Sequence, residues 1–277
     1  MSDPLITADE LAALLSASDR VRVLDVRWSL SGPPGRGLYR EGHIPGAVYV
    51  DLETELAAHG APTEGRHPLP AVGVLQEAAR RWGLNVGHTV VVYDDLAGMS
   101  AARAWWLLRY AGVEDVRVLD GALSGWADAG HPLHAGDEAA APGSIELSYG
   151  NLPVLSMDEA GALPRSGILL DARSVERFRG ENEPIDPRAG HIPGALSAPA
   201  SDNVDAHGKF LAPAQLAQRY STLGVQQSTP VGVYCGSGVT AAHDALALTI
   251  AGFTPALYPG SWSQWSNHLD RPVATGE

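Results

Sequence analysis

The sequence predicts an α/β protein made of two tandem copies of one domain, each a mainly parallel sheet flanked by helices. Three observations lead there. Short β-branched and aromatic runs alternate with helical stretches along the chain. The same landmarks recur at a spacing of roughly 140–150 residues, far longer than the repeat of a solenoid. The only cysteine among 277 residues, Cys235, follows one of the apolar runs, at the strand end where open α/β sheets place their ligands.

Taken in order, Thr7 and Glu10 form a Thr-x-x-Glu capping box ahead of an apolar stretch from Leu11 to Leu15, the signature of a helix start. Ser156 and Glu159 repeat it in the second half. Val23 to Arg27 reads as a short buried strand ending in Asp25 and Arg27, and Leu169 to Arg173 matches it with Asp171 and Arg173. The hexapeptide Gly-His-Ile-Pro-Gly-Ala occupies 42–47 and returns letter for letter at 190–195. Its glycines and proline fix a turn, and because it is unchanged in the half without a cysteine, His43 and His191 read as structural. Val90 to Tyr93 corresponds to Val231 to Tyr234, and Trp126 to Trp265. Residues 134–152, rich in Ala, Gly, Pro and acidic side chains, carry no helical pattern. The domains are therefore placed at 1–136 and 153–277, with a linker at 137–152.

Composition narrows the function. Net charge is −13, which argues against a nucleic-acid partner. Apolar runs are too short for a membrane span. The residues from Met1 to Thr7 lack the basic and apolar regions of a secretory signal, and one free thiol suits a reducing compartment, so the expectation is cytoplasmic. There is no cluster of Cys or His at ligand spacing, so no metal is expected.

The stretch from Val231 to Ile250 carries the chemistry. A buried strand runs into Cys235, then Gly236, Ser237, Gly238 and Val239, and Thr240 opens an alanine-rich helix. Two glycines let successive N–H groups converge on one atom, and the helix start adds its dipole; such a nest favours an anion, here a thiolate nucleophile.

The doubled Asp-x-Arg strand, the doubled hexapeptide and the loop from Cys235 to Thr240 together resemble the two-domain rhodanese-type sulfurtransferases, across nearly the whole chain. The resemblance implies two domains of one fold, a catalytic second domain, a site between the two, and a covalent persulfide on Cys235 with no other cofactor. It implies a small-molecule sulfur donor and a thiol acceptor such as thioredoxin, or cyanide. The Cys-Gly-Ser-Gly-Val-Thr loop is similar to that of the mercaptopyruvate-using members; thiosulfate-using members carry basic residues after the cysteine. Gly236, Gly238, Val239 and Thr240 would line the donor. Arg177 corresponds to the arginine facing substrate, with Arg179 two residues on. Ser237 and His67 match two members of a proposed triad, whose carboxylate would be Glu53 or Asp51. Two positions depart from the pattern. Met99 stands where a tyrosine is frequent, and the second substrate arginine falls on Asp186, with Arg188 two residues late. Asp94 occupies the place of Cys235 in the first half, which reads as a scaffold. Competing readings are a thiosulfate sulfurtransferase and a non-enzymatic persulfide carrier. A cysteine-dependent phosphatase would need an arginine six residues after the cysteine, where Ala241 stands.

Overall fold

The computed structural model describes residues 3–277. The chain divides into two compact units. One comprises the residues up to Ala57 with 70–151 and 205–210, the other 58–69, 152–204 and 211–277. Two short segments thus belong to the unit opposite to their place in the sequence. Segment 205–210 joins the first unit, where Phe210 N–H donates to Asp120. Segment 58–69 joins the second, and it brings His67 with it. Much of the expected linker lies along the first unit, with Gly143 N–H donating to the Arg80 carbonyl at 2.7 Å and Ser148 N–H to that of Ala111 at 3.1 Å.

The first unit contains β1 (Leu5–Ile6), α1 (Ala8–Ala17), β2 (Val21–Asp25), α2 (Gly35–Glu41), β3 (Val48–Tyr49), α3 (Leu52–Glu55), α4 (Val72–Arg81), β4 (Thr89–Tyr93), α5 (Ala101–Tyr110), β5 (Asp115–Leu119) and α6 (Ala122–Asp128). Its sheet is parallel throughout, in the order β1-β5-β4-β2-β3. The second unit contains α7 (Met157–Ala162), β6 (Ile168–Asp171), α8 (Val175–Arg179), β7 (Leu196–Ser197), α9 (Pro213–Thr222), β8 (Val231–Tyr234), α10 (Thr240–Ile250), β9 (Ala256–Leu257) and α11 (Ser261–Asn267). Its parallel sheet runs β7-β6-β8-β9, and an isolated bridge from Val154 to Leu257 stands where the first unit has β1. Among the described residues no helix is long and apolar enough to cross a membrane.

Both predicted capping boxes form. Thr7 Oγ1 accepts from Glu10 N–H while Glu10 accepts from Thr7 N–H, and Ser156 with Glu159 does the same at α7. The central strands bury both faces, as parallel strands between helices do; all four residues of β8 are buried. Core packing is equivalent in the two units: Leu11, Val23, Val91, Tyr93 and Trp126 in one, Leu169, Phe178, Tyr234, Trp262 and Trp265 in the other.

The doubled motifs lock strand ends to turns. Arg173 is bidentate on Asp171, with Nη2 2.7 Å from Oδ2, and the same nitrogen donates to the Gly190 carbonyl at 2.7 Å. Arg27, Asp25 and Gly42 repeat these contacts. Burial opposes the Arg173 charge, but Asp171 beside it keeps the guanidinium protonated and raises its pKa. His43 Nδ1 lies 2.9 Å from the Tyr39 carbonyl and His191 Nδ1 2.8 Å from that of Phe178, each ring stacked on the aromatic side chain of the same residue. These histidines are structural.

One buried acid belongs to α10 itself. Asp244 accepts from Asn203 Nδ2 at 2.6 Å, and burial pushes its pKa up to about 7. A carboxyl whose folded pKa is raised contributes most below its unfolded pKa, and that contribution is lost as pH rises toward 7. Replacing Asp244 with Asn removes the titration. The Tm difference between D244N and the parent protein is therefore expected to move in favour of D244N as pH is raised from 5 to 8, read by thermal melts. A pH-independent difference would contradict the assignment.

Candidate active site

Cys235 follows β8 directly, is 2% exposed, and lies at the entrance to α10. Gly238 N–H donates to its sulfur at 3.1 Å. That aim needs the left-handed backbone of Gly238, at φ +79°, and a Cβ there would come within 2.4 Å of the Pro259 carbonyl oxygen. Only glycine fits. From the other side, α11 fixes the loop. Cys235 N–H donates to Ser261 Oγ at 3.1 Å, Trp262 N–H to the Cys235 carbonyl at 2.9 Å, and Ser263 N–H to the Gly236 carbonyl at 2.8 Å. Ser261 itself has φ +54°, a strained value for a non-glycine residue, kept where it orients the nucleophile's amide.

The first unit shows what this loop shape prefers. Asp94 follows β4 as Cys235 follows β8. Its carboxylate accepts from the N–H groups of Leu96, Gly98, Ser100 and Ala101 at 2.8–3.0 Å and from Ser100 Oγ at 3.1 Å. The nest is an anion site filled by a carboxylate; at the equivalent place in the second unit stands the Cys235 sulfur, which accepts from Gly238 N–H.

Segment 58–69 is pinned to α11. Arg66 N–H donates to Ser263 Oγ at 3.0 Å, and His268 Nε2 lies 3.0 Å from the Thr63 carbonyl. Gly65, at φ +92°, passes so close that a Cβ would meet the Gly260 carbonyl oxygen at 2.9 Å. This docking sets His67 Nδ1 2.7 Å from Ser237 Oγ, with both residues buried. A proton can pass between hydroxyl and imidazole at that distance. Of the two carboxylates expected to orient His67, Asp51 caps α3 by accepting from Thr54 N–H, and Glu53 accepts from Trp28 Nε1 at 2.8 Å.

The arginines sort differently from expectation. Arg177 faces the loop: a methyl group on Gly236 would lie 3.3 Å from its Nη1. It also pairs with Glu183 at 2.7 Å and Asp186 at 3.1 Å. Burial works against the Glu183 charge, yet the Arg177 guanidinium holds its carboxyl below the usual range. Arg179, expected at the substrate, instead pairs with Glu277 in an exposed position. Arg188 is corrected likewise. It donates to four backbone carbonyls, those of Trp265, Ser266, His268 and Arg271 at 2.7–2.9 Å, and so fastens the carboxyl-terminal segment. Sequence reasoning passed over Arg66 and Ser261. Arg66 Nη2 would lie 3.2 Å from the same methyl group on Gly236, so basic charge absent from the loop itself is supplied from segment 58–69. The only sequence signal was its position next to His67. Among the described residues, no group of three or more His, Cys, Asp or Glu is arranged to hold a metal.

The family described as Rhodanese-like domain matches the chain twice, at residues 7–129 and 155–268. The chain is 47% identical to the probable 3-mercaptopyruvate sulfurtransferase of Pseudomonas aeruginosa, over 100% of this chain and 99% of that protein. It is 46% identical to the putative thiosulfate sulfurtransferase SseB of Mycobacterium tuberculosis, over 98% of this chain and 97% of that one. The crystal structure of the 3-mercaptopyruvate sulfotransferase SseA from Escherichia coli superposes with a TM-score of 0.84 at 33% identity, covering 94% of this chain and 99% of that one.

Two substitutions separate the loops' roles. Asp94→Ala removes a buried network of charged hydrogen bonds and should destabilise the protein by roughly 3 kcal/mol or more, while Cys235 still accepts sulfur. Gly238→Ala should leave circular dichroism near native but slow persulfidation at least about tenfold, because the strained loop no longer aims its amide at sulfur. Thermal melts and intact-mass detection of the sulfur adduct read both; loss of the adduct in a folded Asp94→Ala protein would contradict the division of roles.

Proposed function

We propose that this chain, which belongs to the rhodanese-like family in both of its halves, is a sulfurtransferase that takes sulfur from 3-mercaptopyruvate onto Cys235 and passes it to a thiol or cyanide. The covalent persulfide is the only carrier required. The observation that carries the donor assignment is the 2.7 Å pairing of Ser237 Oγ with His67 Nδ1, two residues beyond the nucleophile.

The Cys235 thiolate attacks the donor sulfur. An S–S bond forms, the C–S bond breaks, and its electron pair leaves on the pyruvate enolate. That enolate needs a proton, which Ser237 and His67 are placed to relay, and pyruvate departs. The amide of Gly238, and the helix start behind it, stabilise sulfur anions at the cysteine. A thiolate acceptor then attacks the outer sulfur and regenerates the Cys235 thiolate. A dithiol protein such as thioredoxin suits this step, and the need for a reduced thiol suits the cytoplasm.

Thiosulfate is the second reading, favoured by the guanidiniums of Arg66 and Arg177 over Gly236. Against it, these two cations are matched by Glu183 and Asp186, so the local sum is near zero. A neutral cluster with forward-facing donors suits a monocarboxylate better than a departing sulfite dianion.

Cys235→Ser should abolish the single-sulfur adduct seen by intact mass spectrometry after treatment with donor. Ser237→Ala and His67→Ala should lower kcat with 3-mercaptopyruvate by roughly 10²–10⁴-fold while affecting thiosulfate far less. Glu53→Gln and Asp51→Asn, assayed alongside, identify the carboxylate that supports His67. Parent enzyme that prefers thiosulfate, or equal losses on both donors, would overturn the assignment.

A further inference from the structure

Two guanidiniums converge on the Gly236 backbone from distant parts of the chain. A methyl group built on Gly236 would lie 3.2 Å from Arg66 Nη2 and 3.3 Å from Arg177 Nη1. Both arginines are fastened from behind by one buried acid. Asp186 Oδ1 accepts from Arg66 Nη1 at 2.6 Å, and Asp186 Oδ2 accepts from Arg177 Nη2 at 3.1 Å. On each arginine the nitrogen nearest Gly236 is not the one that holds Asp186, although Arg177 Nη2 also lies 3.6 Å from the same methyl position. Arg66 Nε is buried without a hydrogen-bond partner. Arg66 and the acids Asp186 and Glu183 also line an open cleft of about 510 Å³, with Gly65, Ser263 and Asn267.

We propose that Arg66 is a donor-binding residue, clamping the carboxylate of 3-mercaptopyruvate over Gly236 together with Arg177. This rests on the mercaptopyruvate reading above and deepens it. Two like charges over one backbone segment repel. Asp186 offsets that repulsion and sets the angle between the two planar forks. Each fork keeps donors free on the loop side, and a carboxylate offers one oxygen to each. Asp186 is a positioning residue, since it acts through the arginines. The position where a second substrate arginine was expected therefore holds the acid that orients its replacement.

The test compares Arg66→Gln and Arg66→Lys with the parent protein, and uses Arg179→Gln as a control outside the site. Steady-state assays with 3-mercaptopyruvate should show KM raised about ten- to a hundredfold in Arg66→Gln, with kcat changed only a few-fold. Arg66→Lys, a point charge without a fork, should fall between. A second readout does not depend on the donor: the rate of Cys235 alkylation by iodoacetate relative to iodoacetamide. That ratio should fall roughly tenfold in Arg66→Gln and stay unchanged in Arg179→Gln. Unchanged KM and unchanged ratio in either folded Arg66 variant would overturn the proposal. If the parent enzyme prefers thiosulfate, the donor reading fails, and the alkylation ratio still decides whether Arg66 binds the anion beside Cys235.

Discussion

The second unit is built around a buried chain of alternating charge. Asp171 at the end of β6 holds Arg173, and Arg173 Nη1 reaches Glu183 at 3.1 Å. Glu183 holds Arg177, and Asp186 bridges Arg177 to Arg66. The acids stay buried throughout, while the arginines become more exposed outward, from Arg173 in the core to Arg66, whose side chain is 26% exposed. Buried ion pairs of this kind are poor sources of net stability, because desolvation offsets much of the attraction. Breaking one strands a charge and costs several kcal/mol, so each link fixes the next. The chain transmits the rigidity of the sheet to two side chains at the site. It also explains why Arg173 packs over Trp262, with the guanidinium carbon 4.8 Å from the ring: the first residues of α11 that hold the Cys235 loop are tied to the same core.

The first unit keeps the root of this chain but not its branches. Asp25, Arg27 and the Gly42 carbonyl reproduce the strand-to-turn lock, and Tyr93 OH donates to Asp25 at 2.6 Å. At the loop after β4 the two units diverge chemically while sharing a shape. Asp94 fills the amide nest permanently, as an acceptor-only group that can neither attack nor leave. Cys235 puts a sulfur in the same place, and on the proposed mechanism that sulfur is the nucleophile. The equivalence extends to strain, since Ala122 and Ser261 have φ values of +56° and +54° at the start of their helices. Only Ser261 brings a hydroxyl, and only it binds the N–H of a nucleophile. Because backbone amides make the nest, it can favour an anion in a protein of net charge −13 without a lysine in the loop.

Much of this was legible in the amino-acid sequence because it is local. Capping boxes, the Asp-x-Arg strand ends and the Gly236–Gly238 loop depend on residues within a few positions of one another, and their side-chain types dictate the contacts. The repeat made the fold class plain. Membership of a loop in one unit or the other is not local. Nothing in 58–69 signals that it leaves the first unit at Ala57 and lies along α11; Gly65 permits the close approach but does not announce it. Arg179 and Arg188 were misplaced for the same reason. Arg177, Arg179 and Arg188 look alike in sequence, and helix α8 with the turn after it sends them to an acid pair, an exposed terminus and a set of carbonyls respectively.

Arg66 shows why the composition of a catalytic loop is an incomplete guide to its electrostatics. From Gly236 to Thr240 the loop has no basic residue, which argued against any fixed positive charge near the donor. Folding places two guanidiniums there, one of them from a segment far back in the chain, and places Glu183 and Asp186 behind them. On the proposed reading, the quantity that selects a donor is the sum over this cluster, together with which of its hydrogen-bond donors face the Cys235 loop. Removing either acid would leave an unmatched cation and shift the site toward more highly charged anions. Removing either arginine would leave Asp186 with a single partner and weaken the site for anions. On the proposed clamp, donor choice is set by a balance of four side chains, and Asp186, which touches both arginines, is the hinge of that balance.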